Sequence, residues 1–222
     1  MSSRPIKTAL VTGGASGIGA AAVALLESEG VEVAALDLTT GFDVGDPAAW
    51  ETLGAVDFAF LNAGVATGTG DVAELSDAQY RRALGANVDG VVFGVRRMAR
   101  VMVPGSSIVA TASLAGLLPM SLDPVYTLTK HAVVGFVRAA APQLAERGIR
   151  INALCPGFAD TPIVAPELRE RVAGQGLPLI SPERVAEAAL AVARSEETGQ
   201  AWVVQPGREP LRYEFRGVPG PR

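Results

Sequence analysis

The chain has 222 residues, 19 basic against 23 acidic side chains for a net charge of −4, and 49% hydrophobic content. Single α/β domains reach about 250 residues before their core splits, so the length predicts one domain over residues 1–222. The composition excludes a disordered chain, and the absence of Lys/Arg clusters predicts no nucleic-acid partner.

Short apolar runs alternate with longer helical patterns. In chain order they predict a strand at Thr8 to Val11, a helix at Gly17 to Glu29, a strand at Val31 to Leu36 and a helix at Pro47 to Leu53. A strand at Val56 to Leu61, a helix at Asp77 to Met102, a strand at Ser107 to Ala112 and a helix at Val125 to Arg147 follow. Arg150 to Leu154, Pro182 to Ser195 and Ala201 to Val204 complete the alternation as strand, helix and strand. Helix starts are marked by Asp46-Pro47, Ser76 with Gln79, and Ser181-Pro182. The strand runs are nearly all apolar, as in strands covered on both faces, so the fold expected is α/β, a doubly wound parallel sheet. The Gly/Pro-rich end, residues 217–222, is expected to be a flexible tail or to fold back over a site.

Cys155 has no partner for an internal disulfide, and with His131 as the one histidine the usual zinc ligand sets cannot form. A reduced compartment and no metal are expected. Residues 1–7 carry no apolar signal core, and no stretch approaches the roughly 18 apolar residues of a membrane span. The expectation is a cytoplasmic protein with no membrane partner.

Thr12-Gly13-Gly14-Ala15-Ser16-Gly17-Ile18-Gly19 joins the first strand to the first helix. Glycines let a backbone turn sharply and approach a pyrophosphate, which the free amides and positive end of the helix stabilise. Asp37 closes the second strand twenty positions after Gly17, where a carboxylate can accept hydrogen bonds from both hydroxyls of an adenosine ribose. It would repel a 2′-phosphate, and no Lys or Arg stands in the loop or beside it. This pattern points to NAD.

Tyr126 and Lys130 are four apart, on one face of a helix. An ammonium near a phenol favours the phenolate and is expected to lower the tyrosine pKa toward the range of a general acid/base. Ser113 ends the preceding strand at the sheet edge where open α/β folds bind ligands.

Together and in this order, these segments resemble the short-chain dehydrogenase/reductase family over nearly the whole chain. The matching positions are Thr12 to Gly19, Asp43-Val44, Asn62-Ala63-Gly64, Asn87, Ser113, Tyr126 with Lys130, Pro156-Gly157 and Thr161. The resemblance implies a Rossmann-type fold in which Tyr126 exchanges a proton with substrate, Lys130 binds the nicotinamide ribose and tunes Tyr126, and Ser113 orients the substrate oxygen. It implies a water-linked proton relay supported by Asn87 and a phosphate cradle at Gly13, Ser16, Gly17, Ile18 and Gly19. Asp43 and Val44 would flank the adenine, Asn62, Ala63 and Gly64 would line the adenosine side, and Pro156, Gly157 and Thr161 would hold the carboxamide.

Three departures stand out. Five residues separate Asp37 from Asp43, so the family's third helix has no room and its third strand shrinks to Gly41 to Val44. Pro142 falls inside the Tyr126 helix, where it is expected to kink or break a turn. The strand at Ala201 to Val204 is followed by Gln205-Pro206-Gly207 and a tail with Tyr213 and Phe215.

His131 turns away from Tyr126, Cys155 is read as a buried inert thiol, and Trp50 and Trp202 as packing residues. Leu114 to Leu122, Phe158, Ile163, Val164 and Leu177 to Ile180 are the candidate substrate lining, apolar and without an arginine to clamp a carboxylate. The expected function is hydride transfer between NAD and a hydrophobic secondary alcohol or ketone. A redox-inactive NAD-binding regulator and a nicotinamide-dependent epimerase or dehydratase are the alternatives. Apolar helix stretches predict a homo-oligomer, a dimer or tetramer.

Overall fold

The apolar strand runs pair side by side, with each connection crossing over the sheet through helix or loop. In the computed structural model, which describes residues 4–174 and 178–217, the strands are β1 (Thr8–Thr12), β2 (Glu32–Leu36), β3 (Phe58–Leu61), β4 (Ser107–Thr111), β5 (Arg150–Pro156), β6 (Ala201–Val204) and β7 (Leu211–Arg212). Their order is β2-β1-β3-β4-β5-β6-β7, parallel except for the β6–β7 pair. The helices are α1 (Gly17–Ser28), α2 (Asp77–Leu84), α3 (Gly90–Val101), α4 (Pro124–Ala145), α5 (Pro166–Gly174) and α6 (Pro182–Arg194).

Alternate side chains of each strand feed separate cores on the two faces of the sheet. Leu10, Leu61, Ile108 and Ile151 pack with Val95, Met98, Val133 and Val137 of α3 and α4. Val11, Phe58, Phe60 and Leu154 pack with Leu26 of α1 and Val185 and Leu190 of α6. The chain reverses direction across the sheet between β1 and β3, and open α/β sheets bind ligands at that switch, beyond the strands' C-terminal ends. The glycine loop, Asn62, Ser113 and Pro156 all stand at that edge.

The short segment after β2 differs from its expectation. No strand forms at Gly41 to Val44, and the helix expected at Pro47 to Leu53 is a single 3-10 turn, Ala49–Thr52. Another such turn, Leu38–Thr40, is capped by Asp37 and closed by Gly41 at φ 87°. Asp43 Oδ1 accepts from the Gly45 amide and Asp46 Oδ1 from the Ala48 amide, 2.8 and 2.9 Å away, and such Asx turns bend the backbone out of an extended path. β2 therefore ends the sheet, with Ala34 and Ala35 exposed.

Trp50 fills the space where a third helix would pack. It is 1% exposed, donates from Nε1 to the Val44 carbonyl at 3.0 Å, and meets Phe42 edge-on with ring centroids 5.2 Å apart. Gly94 makes room for it, because a Cβ there would lie 2.8 Å from the indole.

Other expectations also shift. The helix expected over Asp77 to Met102 is interrupted by a π-helical turn, Gly85–Asp89, which carries Asn87. Pro142 does not break α4, which continues to Ala145, because the proline weakens only the last turn of a long, well-packed helix. The sequence reading had no α5 and no β7. Tyr213 stacks edge-on against Phe215, whose ring lies 3.6 Å from the Arg138 guanidinium on α4. Leu177 and residues 218–222, the lining and tail positions named above, lie outside the described residues. Among the described residues no helix is long and apolar enough to cross a membrane.

Replacing Trp50 by Ala removes a buried aromatic and its hydrogen bond, so unfolding in urea should show a loss of about 3–5 kcal/mol. A loss below about 1 kcal/mol would show that the short segment is held by something else.

Candidate active site

The glycine loop is built for close approach. Gly13 has φ 69°, and a Cβ there would sit 3.1 Å from the Ala63 Cα, while one on Gly19 would lie 1.9 Å from the Gly13 carbonyl oxygen. Ser16 occupies the N-cap of α1 in extended conformation, yet its side chain makes no capping hydrogen bond. The first amides of α1 therefore have no side-chain acceptor, which suits an anion. Ile18 is half-buried behind them. These features fit a dinucleotide pyrophosphate.

The loop is locked to β3. Thr12 Oγ1 accepts from the amides of Asn62 and Ala63 at 2.9 and 3.0 Å, and Thr111 Oγ1 donates to Asn62 Oδ1 at 3.1 Å. Thr161 stands over the loop, where a Cβ on Gly17 would come 3.1 Å from its methyl group. Asp37 Oδ2 accepts from the Ala15 amide at 3.2 Å and Oδ1 from the Thr39 amide at 2.9 Å and its hydroxyl at 2.8 Å. These amide hydrogen bonds hold the Asp37 carboxyl below the usual range despite the opposing effect of partial burial, so the group is an anion at neutral pH. Val44 is buried against Gly90, and Asp43 beside it is exposed.

Four elements bring the catalytic candidates together. Asp123 caps α4 by accepting from the Tyr126 amide at 2.8 Å through Oδ1, and from the Thr67 amide at 2.7 Å through Oδ2. One carboxylate thus sets both the helix start and the loop after β3. Sequence reading missed Asp123, although Asp followed by Pro124 is a helix-start signal of the kind used at Asp46. Lys130, 2% exposed, reaches back from α4 and donates to the Thr111 carbonyl at 2.8 Å. A Cβ on Gly64 would lie 3.3 Å from the Lys130 Nζ and 3.1 Å from Asn87 Oδ1. Ser113 follows β4, its hydroxyl accepting from the Ala115 amide at 3.1 Å, within reach of the Pro156 carbonyl at 3.5 Å and near enough to the Tyr126 phenol to influence its titration.

Asn87 is fully buried and its amide is wholly engaged. Oδ1 accepts from the Val65 amide at 2.8 Å, while Nδ2 donates to the Val65 carbonyl and to Thr129 Oγ1, both at 2.9 Å. The side chain fixes the π-helical turn against the loop after β3 and against α4. Exposed His131 accompanies the Thr127 carbonyl at 3.0 Å, on another side of the helix from buried Lys130. Cys155 is fully buried and its thiol is pushed up to about 12 by desolvation, so it is a poor nucleophile.

One feature of the substrate side was not expected. A cavity of about 220 Å³ is lined by Met120, Leu122, Phe158 and Val172, but also by Arg171 of α5. The short α5, rich in Arg and Glu, carries little apolar periodicity, although Pro166 at its start is a recognisable signal.

The comparisons agree with this geometry. A family model described as enoyl-(acyl carrier protein) reductase matches residues 47–208. The chain is 32% identical over 189 residues to the cyclohexanol dehydrogenase of Acinetobacter sp. (strain SE19), covering 72% of this chain and 75% of that protein. It is 36% identical over 186 residues to a 2,5-dichloro-2,5-cyclohexadiene-1,4-diol dehydrogenase of Sphingobium indicum, covering 71% and 74%. A solved small-chain dehydrogenase in complex with NADPH superposes with a TM-score of 0.78 at 26% identity, covering 91% of this chain and 98% of its own.

Burial dominates the titration of the central pair. Desolvation pushes the Tyr126 phenol up to about 12, helped by the Asp123 carboxylate and opposed by the Ser113 hydrogen bond. The expected lowering by Lys130 is absent, because its Nζ lies 5.4 Å from the phenol ring centroid and is itself desolvated, its pKa falling to about 8. The unfolded chain holds this lysine's proton up to about pH 10.5, so between pH 8 and 10.5 it binds more protons than the folded chain. Stability from this group therefore rises with pH across that window. Lys130→Met should gain stability relative to the unmodified protein at pH 7, and the difference should shrink by up to about 3 kcal/mol by pH 10.5. A pH-independent difference in urea unfolding would contradict the burial of a charged Lys130.

Proposed function

The chain belongs to the short-chain dehydrogenase/reductase family, and from that premise we propose that it transfers a hydride between NAD and a secondary alcohol or ketone on a hydrophobic, ring-bearing skeleton. The observation that carries this reading is the convergence of Ser113, Tyr126 and Lys130 at the C-terminal sheet edge, beside a loop that only glycine can form. The two curated relatives described above, by name, act on a cyclic alcohol and a cyclic diol.

The nicotinamide would supply the hydride acceptor in oxidation and the donor in reduction. The chain's own groups handle the oxygen and its proton. The Ser113 hydroxyl, placed beside the phenol, holds the substrate oxygen by a hydrogen bond. Tyr126 takes the alcohol proton as the carbonyl forms and returns one in the reverse direction. A phenol with a pKa near 12 is protonated in the protein alone, which suits the acid in carbonyl reduction. Oxidation requires the phenol first to lose its proton, and in this reading Lys130, held by the Thr111 carbonyl, binds the nicotinamide ribose beside it. Thr161 and Asp160 lie in a loop fastened by Arg169, which pairs with Asp160 at 2.8 Å and donates to the Thr161 and Val164 carbonyls at 2.6 and 3.1 Å.

NAD is preferred over NADP in this reading because of Asp37. Its anionic carboxylate can accept from two ribose hydroxyls and would oppose a 2′-phosphate. The NADPH of the solved neighbour is a property of that protein. In this reading the chain forms a homo-oligomer, on the ground of its apolar composition and apolar helix stretches.

Two variants test the reading. Tyr126→Phe keeps the ring and removes the exchangeable proton, so turnover of cyclohexanol should fall about 10²-fold or more while NAD binding changes little. Asp37→Ala should narrow an NAD preference of about 10²-fold in kcat/KM. Undiminished turnover in the first variant, or an unchanged cofactor ratio in the second, sinks the corresponding assignment.

A further inference from the structure

The 220 Å³ cavity beside the catalytic helix has walls that begin at the catalytic motifs. Met120, Ser121 and Leu122 belong to the loop joining Ser113 to Tyr126, and that loop is tied to the helix by the Thr127 hydroxyl donating to the Met120 carbonyl at 3.0 Å. Phe158 follows Pro156-Gly157 directly. Arg171 and Val172 come from α5 and complete the lining.

The lining carries one charge, that of Arg171. Ser121 adds a hydroxyl, and the remaining walls are apolar. Arg171 makes no ion pair among the described residues, whereas Arg169 is bound to Asp160 and to two carbonyls of the preceding loop. Residues two apart point to opposite sides of a helix. Fastening Arg169 to the loop holds α5 where it stands, and Arg171, itself exposed, lines the cavity from another side of that helix.

We propose that Arg171 holds a carboxylate at the end of the substrate remote from the reacting carbon, so that the preferred substrate is a small alicyclic hydroxy acid or the matching keto acid. This rests on the alcohol and ketone reading given above. A guanidinium presents a planar pair of N–H donors that matches a carboxylate, and one cation neutralises one monoanion. The apolar walls accept the ring, and the cavity volume suits a single carbocycle.

The test compares cyclohexanol with its 3- and 4-carboxylates as substrates of the full chain with NAD. The unmodified enzyme should favour at least one carboxylate by about 10²-fold in kcat/KM, expressed mainly in KM. Arg171→Met keeps the apolar stem and should remove that preference while leaving cyclohexanol within about twofold, and Arg171→Lys should retain part of it. Cyclohexanecarboxylate, which has no alcohol, should bind in calorimetry to the unmodified protein and not to Arg171→Met. Equal kcat/KM for charged and uncharged alcohols, or equal loss on both in Arg171→Met, would overturn the proposal and make Arg171 a solvated charge at the end of α5. Turnover of cyclohexanol without a carboxylate preference defeats this inference alone. Failure to turn over any of the alcohols defeats the reading beneath it, and calorimetry then still decides whether Arg171 binds the anion.

Discussion

The site depends on burying a lysine. Lys130 is held 2.8 Å from the Thr111 carbonyl, and this contact joins the long catalytic helix to the central strand whose end presents Ser113. Burial of an ammonium is unfavourable unless its donors find acceptors. The Thr111 carbonyl supplies one such acceptor, and the neighbourhood is tightly packed. Gly64 leaves room for the Lys130 Nζ, and Gly116 lies so near that a Cβ would come 2.6 Å from the Lys130 carbonyl oxygen. Thr129, one residue away on the same helix, is tied to Asn87 of the π-helical turn. The helix cannot slide or turn without breaking these contacts, so the phenol of Tyr126 stays beside Ser113.

The opposite end of the sheet shows how much of this fold is dispensable to the site. A strand and a helix are absent after β2, yet the glycine loop keeps its place because its anchors are elsewhere. Thr12 binds the backbone of Asn62 and Ala63, and Asp37 binds Ala15 and Thr39. The missing layer is replaced by Trp50 over Gly94 and by Phe42 against the indole. Large aromatic rings cover much apolar area per residue, which lets a short segment close the core.

The strands and the long helices were legible because their signals are local. Uninterrupted apolar runs, caps such as Ser76 with Gln79, and the four-residue spacing of Tyr126 and Lys130 all lie within one element. The glycine loop was legible because its residue type is dictated by backbone geometry, as the φ of 69° at Gly13 shows. The π-helical turn was not, since Asn87 takes its partners from Val65 and Thr129, far away in sequence. The edge after β2 was half-legible: its shortness could be counted, but the Asx turns at Asp43 and Asp46 override the extended conformation assigned to it. α5 went unseen because a short, highly charged helix has no apolar stripe, and with it went Arg171. The Tyr126 pKa was misjudged for a related reason, because spacing fixes which residues meet and not how deeply their charges are buried.

The central claim is that these groups transfer hydride and do not merely hold a nucleotide. It is tested most directly by mixing the protein with NAD and cyclohexanol deuterated at the carbinol carbon. The account predicts growth of reduced-nicotinamide absorbance, slowed relative to unlabelled cyclohexanol, with the deuterium recovered on the nicotinamide ring. Tight binding of NAD with no reduction by cyclohexanol or by its ring-substituted analogues would contradict it.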